Sequence, residues 1–451
     1  MTRKEFLKIT SVAMTGSMMI PWACSSKETR VEEIKEEIRK NWAGNYTYQA
    51  KNLYEPQTVE EVQELVLKLS KQKALGSTHC FNDIADSPEN QISTKKLNKV
   101  VSLDKEKKIL TVESGARYGD FAEELDAAGF ALANLASLPH ITVAGACATA
   151  THGSGVKNGN LATQVAGIEL VTPSGELMTI DQNHPDFPAM VVGLGAFGII
   201  TKVSLKVEDT FQVRQDVFLN LPLASMEKNF EEIMSSGYSV SLFTDWTNKN
   251  ISEVWVKRRV DSNSEDLGND FFGAIAATKN MHPIQALSAE PCSEQMGVPG
   301  PWYNRLPHFK MGFTPSAGEE LQSEFFIPRS NAVKGILAVE KLNAEISPQL
   351  LVTEIRTIAS DNFWMSPCYH QDSVSIHFTW KQNPTEVMAL IPKIEEVLAP
   401  FSVKPHWGKL FKVNPATLHQ RYTKFPEFLA LAKQYDPSGK FRNAYLDLNI
   451  Y

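Results

Sequence analysis

Ser137-Leu138-Pro139-His140-Ile141-Thr142-Val143-Ala144-Gly145-Ala146-Cys147-Ala148-Thr149-Ala150-Thr151-His152-Gly153-Ser154-Gly155 is the most distinctive run of the chain. It is built largely of small residues and hydroxyls. Such a run lets backbone N–H groups approach a pyrophosphate without side-chain obstruction, and Ser and Thr add further donors. A second loop of the same kind, Gly76-Ser77-Thr78-His79-Cys80-Phe81-Asn82, follows the strand-like Ala74-Leu75. Tight packing of helix on strand uses the same small residues, so composition alone leaves both readings open. No GxGxxG follows a strand and no GxxxxGK[ST] occurs, so neither a Rossmann nor a P-loop reading is supported.

Working outward, the flanking segments read as mixed helix and strand. Thr58-Val59-Glu60-Glu61 is a capping-box signature, with Val62, Leu65, Val66 and Leu69 following at helical spacing. Lys108–Glu113 alternates as a strand, and Tyr118–Ala128 reads as a helix closed by Gly129. Pro173-Ser174-Gly175 marks a turn between Ile168–Thr172 and Leu177–Ile180, which predicts a hairpin, and Gly198–Val207 reads as another strand. From about residue 209 the character changes. Two Pro/Gly-rich loops lie near Met296–Pro301 and Met311–Gly318. Strands are predicted at Gln349–Thr357 and Val374–Trp380, and a helix at Pro384–Leu398.

The whole chain of 451 residues has an ordinary globular composition, 43% hydrophobic and 22% charged. A net charge of −7 and the absence of Lys/Arg runs exclude a nucleic-acid footprint. Arg3, Lys4 and Lys8 precede an uncharged Ile9–Ala23, the pattern of an export signal. Thr2–Lys8 is similar to a twin-arginine signal with Lys in place of the second Arg. Cys24 before Ser25-Ser26-Lys27 is a candidate lipidation site, and so a candidate membrane attachment. A plain signal peptide cleaved elsewhere is the other reading. The expected location is periplasmic, or membrane-anchored as a lipoprotein. Cys80, Cys147, Cys292 and Cys368 show neither CxxC nor metal spacing, so no metal site is expected and no disulfide is demanded.

Three blocks carry polar residues with strand geometry. Glu354-Ile355-Arg356 and His377-Phe378-Thr379 each place two polar side chains on one face of a strand. Pro405-His406-Trp407-Gly408-Lys409 adds a cation next to a glycine. Two such strands side by side would line a pocket with the paired donors and acceptors that a polyol needs. A solvated face with a Glu354–Arg356 ion pair fits the same spacing.

These blocks, together with Asn41-Trp42-Ala43-Gly44-Asn45, both small-residue loops, Asp245-Trp246 and Pro299-Gly300-Pro301-Trp302 with Arg305-Leu306-Pro307-His308-Phe309, resemble the alditol oxidases of the vanillyl-alcohol-oxidase-like FAD superfamily. The resemblance runs from Asn41 almost to the C-terminus. It implies an α+β fold: a two-subdomain FAD-binding domain of the PCMH type, and a mixed α/β substrate (cap) domain with a large antiparallel sheet. The expected order is an export signal (1–24), a tether (25–40), the FAD-binding domain (41–208), the substrate domain (209–400) and a C-terminal segment (401–451) returning to the FAD domain.

The resemblance further implies FAD held covalently through His79. Contacts are expected from Gly76, Ser77, Thr78, Cys80, Ser137, Thr142, Gly145, Ala146, Ala148, His152, Gly153 and Ile200. His140 and His152 are expected to structure loops or touch the flavin. Ser137, Glu354, Arg356, Thr379 and Lys409 would bind the alditol, with His377 beside them. The implied reaction is hydride transfer from the terminal carbon to the flavin, then reduction of O₂ to hydrogen peroxide. Arg356 and Lys409 would stabilise the developing alkoxide. His377, Lys409 and water remain open as proton acceptor. A monomer is expected, and an aldonolactone oxidase or a non-catalytic sugar-binding lipoprotein are the alternatives.

Overall fold

The computed structural model describes residues 33–34, 38–260, 267–313 and 319–451. The expected export signal, Cys24 and most of the tether lie outside the described residues. Thr58 caps helix α1 (Val59–Lys68): its hydroxyl accepts from the Glu61 N–H at 3.2 Å. The Glu61 carboxylate reaches back one residue further than a standard capping box, accepting from the Gln57 N–H. Val62, Leu65 and Val66 form the buried face of this helix.

Three short parallel strands, β1 (Asn52–Tyr54), β2 (Gln72–Leu75) and β3 (Asn90–Ser93), run in the order β1-β3-β2, with Glu33–Ile34 pairing against β1. A separate antiparallel sheet holds β4 (Val100–Asp104), β5 (Ile109–Glu113), β6 (Val165–Val171), β7 (Leu177–Asp181) and β8 (Ile199–Lys206), in the order β4-β5-β8-β6-β7. The predicted hairpin is β6–β7, with Gly175 at φ +80°. Helix α2 (Tyr118–Ala127) ends before Gly129, also left-handed at φ +91°. The short helix α3 (Val143–Ala148) carries the middle of the long small-residue stretch. Val112, Phe121, Ile168 and Val203 share one core with Phe428 and Tyr445 of the C-terminal helices.

The second part is a large antiparallel sheet. Its main strands are β9 (Gln212–Pro222), β10 (Ser239–Thr244), β11 (Asn250–Arg259), β12 (Leu321–Pro328), β13 (Leu350–Ile358), β14 (Ser373–Trp380) and the edge strand β15 (Lys404–Pro405). They run β9-β11-β10-β13-β14-β12-β15. Alternation divides the two faces. Ile355, Ile376, Phe378 and Ile327 join Phe230, Ile336 and Ile391 of the helices α4 (Leu223–Ser235), α5 (Ala332–Glu340) and α6 (Pro384–Leu398) in a second core. The opposite face presents Glu354, Arg356, His377, Thr379, Gln322 and Glu324, all buried. The expected boundary at residue 400 falls just before β15, which pairs with Phe325 and Phe326 and so belongs to this sheet. The helices α7 (Pro415–Arg421), α8 (Phe425–Tyr435) and α9 (Ala444–Asn449) follow and contribute to the first core. Cys80, Cys147, Cys292 and Cys368 are free thiols. No described helix is long and apolar enough to cross a membrane.

Candidate active site

One cavity of about 250 Å³ joins the two small-residue loops to the polar face of the large sheet. The loop side is set by Thr142, around which two glycines close. A Cβ on Gly76 would come within 2.6 Å of the Thr142 hydroxyl, and one on Gly145 within 2.8 Å. Ser77 Oγ accepts from the Thr142 N–H at 3.1 Å, tying the loops together. The N–H groups of Ser77, Thr78, His79 and Cys80 find no acceptor among the described residues, although all four residues line the cavity. A glycine-walled cradle with unused backbone donors suits a pyrophosphate, and so fits the FAD that the resemblance implies.

His79 stacks on Trp42 with ring centroids 5.0 Å apart, and its ring makes no hydrogen bond among the described residues. Burial, then His140 and Arg117, lower its pKa to about 4, so the imidazole is neutral. Thr78, just before it, adopts the left-handed conformation at φ 61°. The other histidines of these loops are occupied. His140 Nε2 is 2.9 Å from the Met311 carbonyl. His152 has Nδ1 2.8 Å from the Gly153 carbonyl and Nε2 3.0 Å from Glu324.

Ser137, Ala146, Ala148, His152 and Ile200 line the cavity. Gly153 stands beside it: a Cβ there would meet the Leu135 carbonyl at 2.3 Å, and its own carbonyl faces His152 Nδ1.

On the sheet side, three strands bring the predicted blocks into register. Glu354 on β13 faces His377 on β14, which faces Glu324 on β12, and Thr379 lies opposite Gln322. Lys409 arrives through the turn after β15. The His406 N–H bonds the Glu324 carbonyl at 3.0 Å and the Leu410 N–H bonds that of Gln322 at 2.9 Å. Gly408 lets this turn pass the His79 loop: its Cβ would stand 3.0 Å from Cys80 Sγ. The Phe81 N–H bonds the Gly408 carbonyl, and the Asn82 amide bonds the carbonyls of Trp407 and Lys409. His79 and Lys409 are thus held on one hydrogen-bonded unit.

The centre of the wall is Glu324, which composition and spacing did not single out. Its oxygens lie 2.8 Å from Arg356 Nη2, 3.0 Å from His152 Nε2 and 2.7 Å from Lys409 Nζ. Burial opposes its ionisation, but Lys409, His152 and Arg356 outweigh that and hold its carboxyl well below the usual range. The expected Glu354–Arg356 ion pair is the looser contact, at 3.6 Å. Glu354 is bonded instead to His308 Nε2 at 2.8 Å. Burial opposes its ionisation too, while Arg356 and His308 lower its pKa below the usual range. Arg356 Nη1 reaches Ser137 Oγ at 3.4 Å, and its buried Nε has no hydrogen-bond partner among the described residues.

His377 Nε2 lies 3.1 Å from the Gln322 carbonyl oxygen, so hydrogen sits on Nε2 and Nδ1 bears the lone pair. Burial, then Lys409, push its pKa well below the usual value. Gln322 and Glu324 could have been found from the alternation in Leu321-Gln322-Ser323-Glu324-Phe325; His308 stood in a resemblance block without an assigned role.

The architecture and cavity define an FAD-dependent oxidoreductase of the vanillyl-alcohol-oxidase type. Residues 50–181 match the family model "FAD binding domain", and residues 317–449 match "D-arabinono-1,4-lactone oxidase". The cholesterol oxidase of B. sterolicum superposes with a TM-score of 0.76 at 14% identity, covering 96% of this chain and all of that one (100%). The chain is 42% identical over 409 residues to an alditol oxidase of Streptomyces sp., covering 90% of this chain and 97% of the relative. L-Gulonolactone oxidase of Bos taurus is 27% identical, covering 91% and 98%. The chain belongs to the alditol oxidase family.

The Glu324 cluster makes a prediction about acid stability. Glu324 and Glu354 have folded pKa values below the ordinary 4.5, so their stabilisation is complete above that value and is lost as pH falls through the folded values. Glu324→Gln leaves Lys409 and Arg356 under-compensated and should cost about 3–5 kcal/mol near neutrality. It should also flatten the wild-type fall in Tm on acidification below the ordinary carboxylate range. A variant melting like wild type at every pH would contradict the hub role.

Proposed function

We propose that the protein oxidises the terminal hydroxyl of a small alditol of the xylitol or sorbitol kind to the aldose, with O₂ as electron acceptor and FAD attached covalently through His79. The observation that carries this reading is the wall itself. Two carboxylates, Glu324 and Glu354, stand against the two cations at the cavity wall, Arg356 and Lys409, so the wall compensates its own charges and is rich in directional groups. A neutral polyol needs that combination, because every hydroxyl removed from water must be paired.

When bound, FAD supplies the hydride acceptor and the route to O₂. The chain supplies orientation and charge. The Arg356 guanidinium and the Lys409 ammonium place positive charge at the cavity wall for the reacting oxygen as it gains negative charge. Thr379 and Ser137 give further hydroxyl partners at the cavity wall. The lone pair of His377 Nδ1, left open by the bond from Nε2 to the Gln322 side-chain oxygen, gives the reacting hydroxyl a hydrogen-bond acceptor; His377, Lys409 and water are the candidates for its proton. His79 is suited to attachment because its ring is neutral and unbonded, whereas His140 Nε2 and both ring nitrogens of His152 face hydrogen-bond partners.

An aldonolactone substrate of the gulonolactone type is the second reading, favoured by the family match over 317–449. Export through the N-terminal signal, anchorage through Cys24 and a monomeric state complete the proposal. Retention of Met1 on protein recovered from native cells would overturn export.

His79→Ala should release its flavin on acid precipitation, whereas wild-type pellets stay yellow; a peptide map placing flavin on His140 or His152 would reject the assignment. Lys409→Ala and Arg356→Lys should keep covalent flavin but slow anaerobic reduction by xylitol at saturation roughly a hundredfold, the size of about 3 kcal/mol of oxyanion stabilisation. Reduction at wild-type rates would leave both as structural ions.

A further inference from the structure

His308 and Lys257 stand behind the carboxylate assigned to the substrate. Lys257, on β11, is 1% exposed. Its side-chain nitrogen faces three acceptors: the carbonyls of Leu306 and Pro307, and His308 Nδ1 at 3.0 Å. On the other side of its ring, His308 sets Nε2 2.8 Å from Glu354 Oε1. The edge-on rings of Phe243 and Trp255, at 5.5 and 5.2 Å, fix its plane. Its backbone N–H bonds the Ser137 carbonyl at 3.0 Å.

The proton positions follow from the carboxylate end. An ionised Glu354 only accepts, so the Nε2 facing it must carry hydrogen. A second hydrogen on Nδ1 would point at the Lys257 ammonium, donor against donor. Nδ1 therefore bears the lone pair. Burial pulls Lys257 down to about 7 while Glu354 holds it up; when protonated, its three hydrogens meet three acceptors with none left over. Burial, then Lys257, pull His308 down to about 4, in keeping with a neutral ring.

From this geometry we infer that Lys257 and His308 form a positioning relay, which commits Glu354 Oε1 and keeps Oε2 open to accept a hydrogen from a non-reacting hydroxyl of the substrate. Oε2 accepts no hydrogen bond among the described residues. The His377 nitrogen 3.9 Å away is Nδ1, which has no hydrogen to give. The open oxygen therefore selects a ligand that donates at that point, as a polyol chain does and a ring ester or ether oxygen cannot. Neither relay residue acts on the reacting atoms; each acts through Glu354. The inference rests on the polyol reading of the wall.

The test uses the flavin-loaded enzyme and normalises to bound flavin. His308→Phe keeps a planar ring and removes the donor; His308→Gln returns an amide N–H near the place of Nε2. With xylitol, His308→Phe should raise KM about 10- to 100-fold with kcat within about threefold, and His308→Gln should recover most of that loss. An unchanged KM in His308→Phe would overturn the relay, as would a loss confined to Tm. A readout without turnover is NMR of ¹⁵N-histidine-labelled protein, the His308 signals being those that vanish in His308→Gln. The Nε2–H tautomer is expected near neutral pH, with the preference lost in Lys257→Met. The Nδ1–H tautomer or an imidazolium in wild type would refute the inference. If no alditol reduces the wild-type enzyme, the polyol reading fails. The relay is still judged, by the tautomer and by the KM ratio for whichever substrate does reduce it.

Discussion

The carboxylate of Glu324 is the constraint on which the site depends. It is buried on β12, between β14 and the edge strand β15, and it joins Arg356 from β13, Lys409 from the turn after β15 and His152 from the small-residue stretch. A buried charge of this kind is tolerable only when every partner is in place. Closing the two small-residue loops against the large sheet is therefore coupled to assembling the cations that face the substrate. The same coupling is repeated in the backbone, where Gly408 and Asn82 fasten the Lys409 turn to the His79 loop.

Charge balance follows from that arrangement. With Glu324 neutralising much of Arg356 and Lys409, the wall does not present a net cationic patch that would favour an anionic sugar acid. What remains for a ligand is directional: the Arg356 guanidinium at the cavity wall, an open Glu354 oxygen and the His377 lone pair. These groups discriminate by hydrogen-bond polarity, which costs more to violate in a buried cavity than in water.

Much of this was legible in the chain because local rules and tertiary structure agree. Thr58 caps its helix, Gly175 turns its hairpin, Pro384 opens helix α6, and Glu354, Arg356, His377 and Thr379 fall on one face because strands alternate. Glu324 and Gln322 escaped because a polar alternation within Leu321–Pro328 does not announce that both faces of the strand are covered; only the paired β14 and the turn after β15 reveal it. Lys257 escaped for a related reason. A lysine in a strand reads as solvent-facing, and its three acceptors come from Leu306, Pro307 and His308, about fifty residues away in the chain. Gly153 owes its small size at least to the Leu135 carbonyl, a contact that sequence spacing cannot show.

The central claim is that this hydrogen-bonding wall selects an open-chain polyol. The most direct measurement is anaerobic stopped-flow reduction of the wild-type flavoprotein by xylitol and by L-gulono-1,4-lactone, compared as the ratio of limiting rate to dissociation constant. The alditol should be preferred by at least about tenfold, the worth of one well-placed hydrogen bond to a charged group. Equal or faster reduction by the lactone would contradict it.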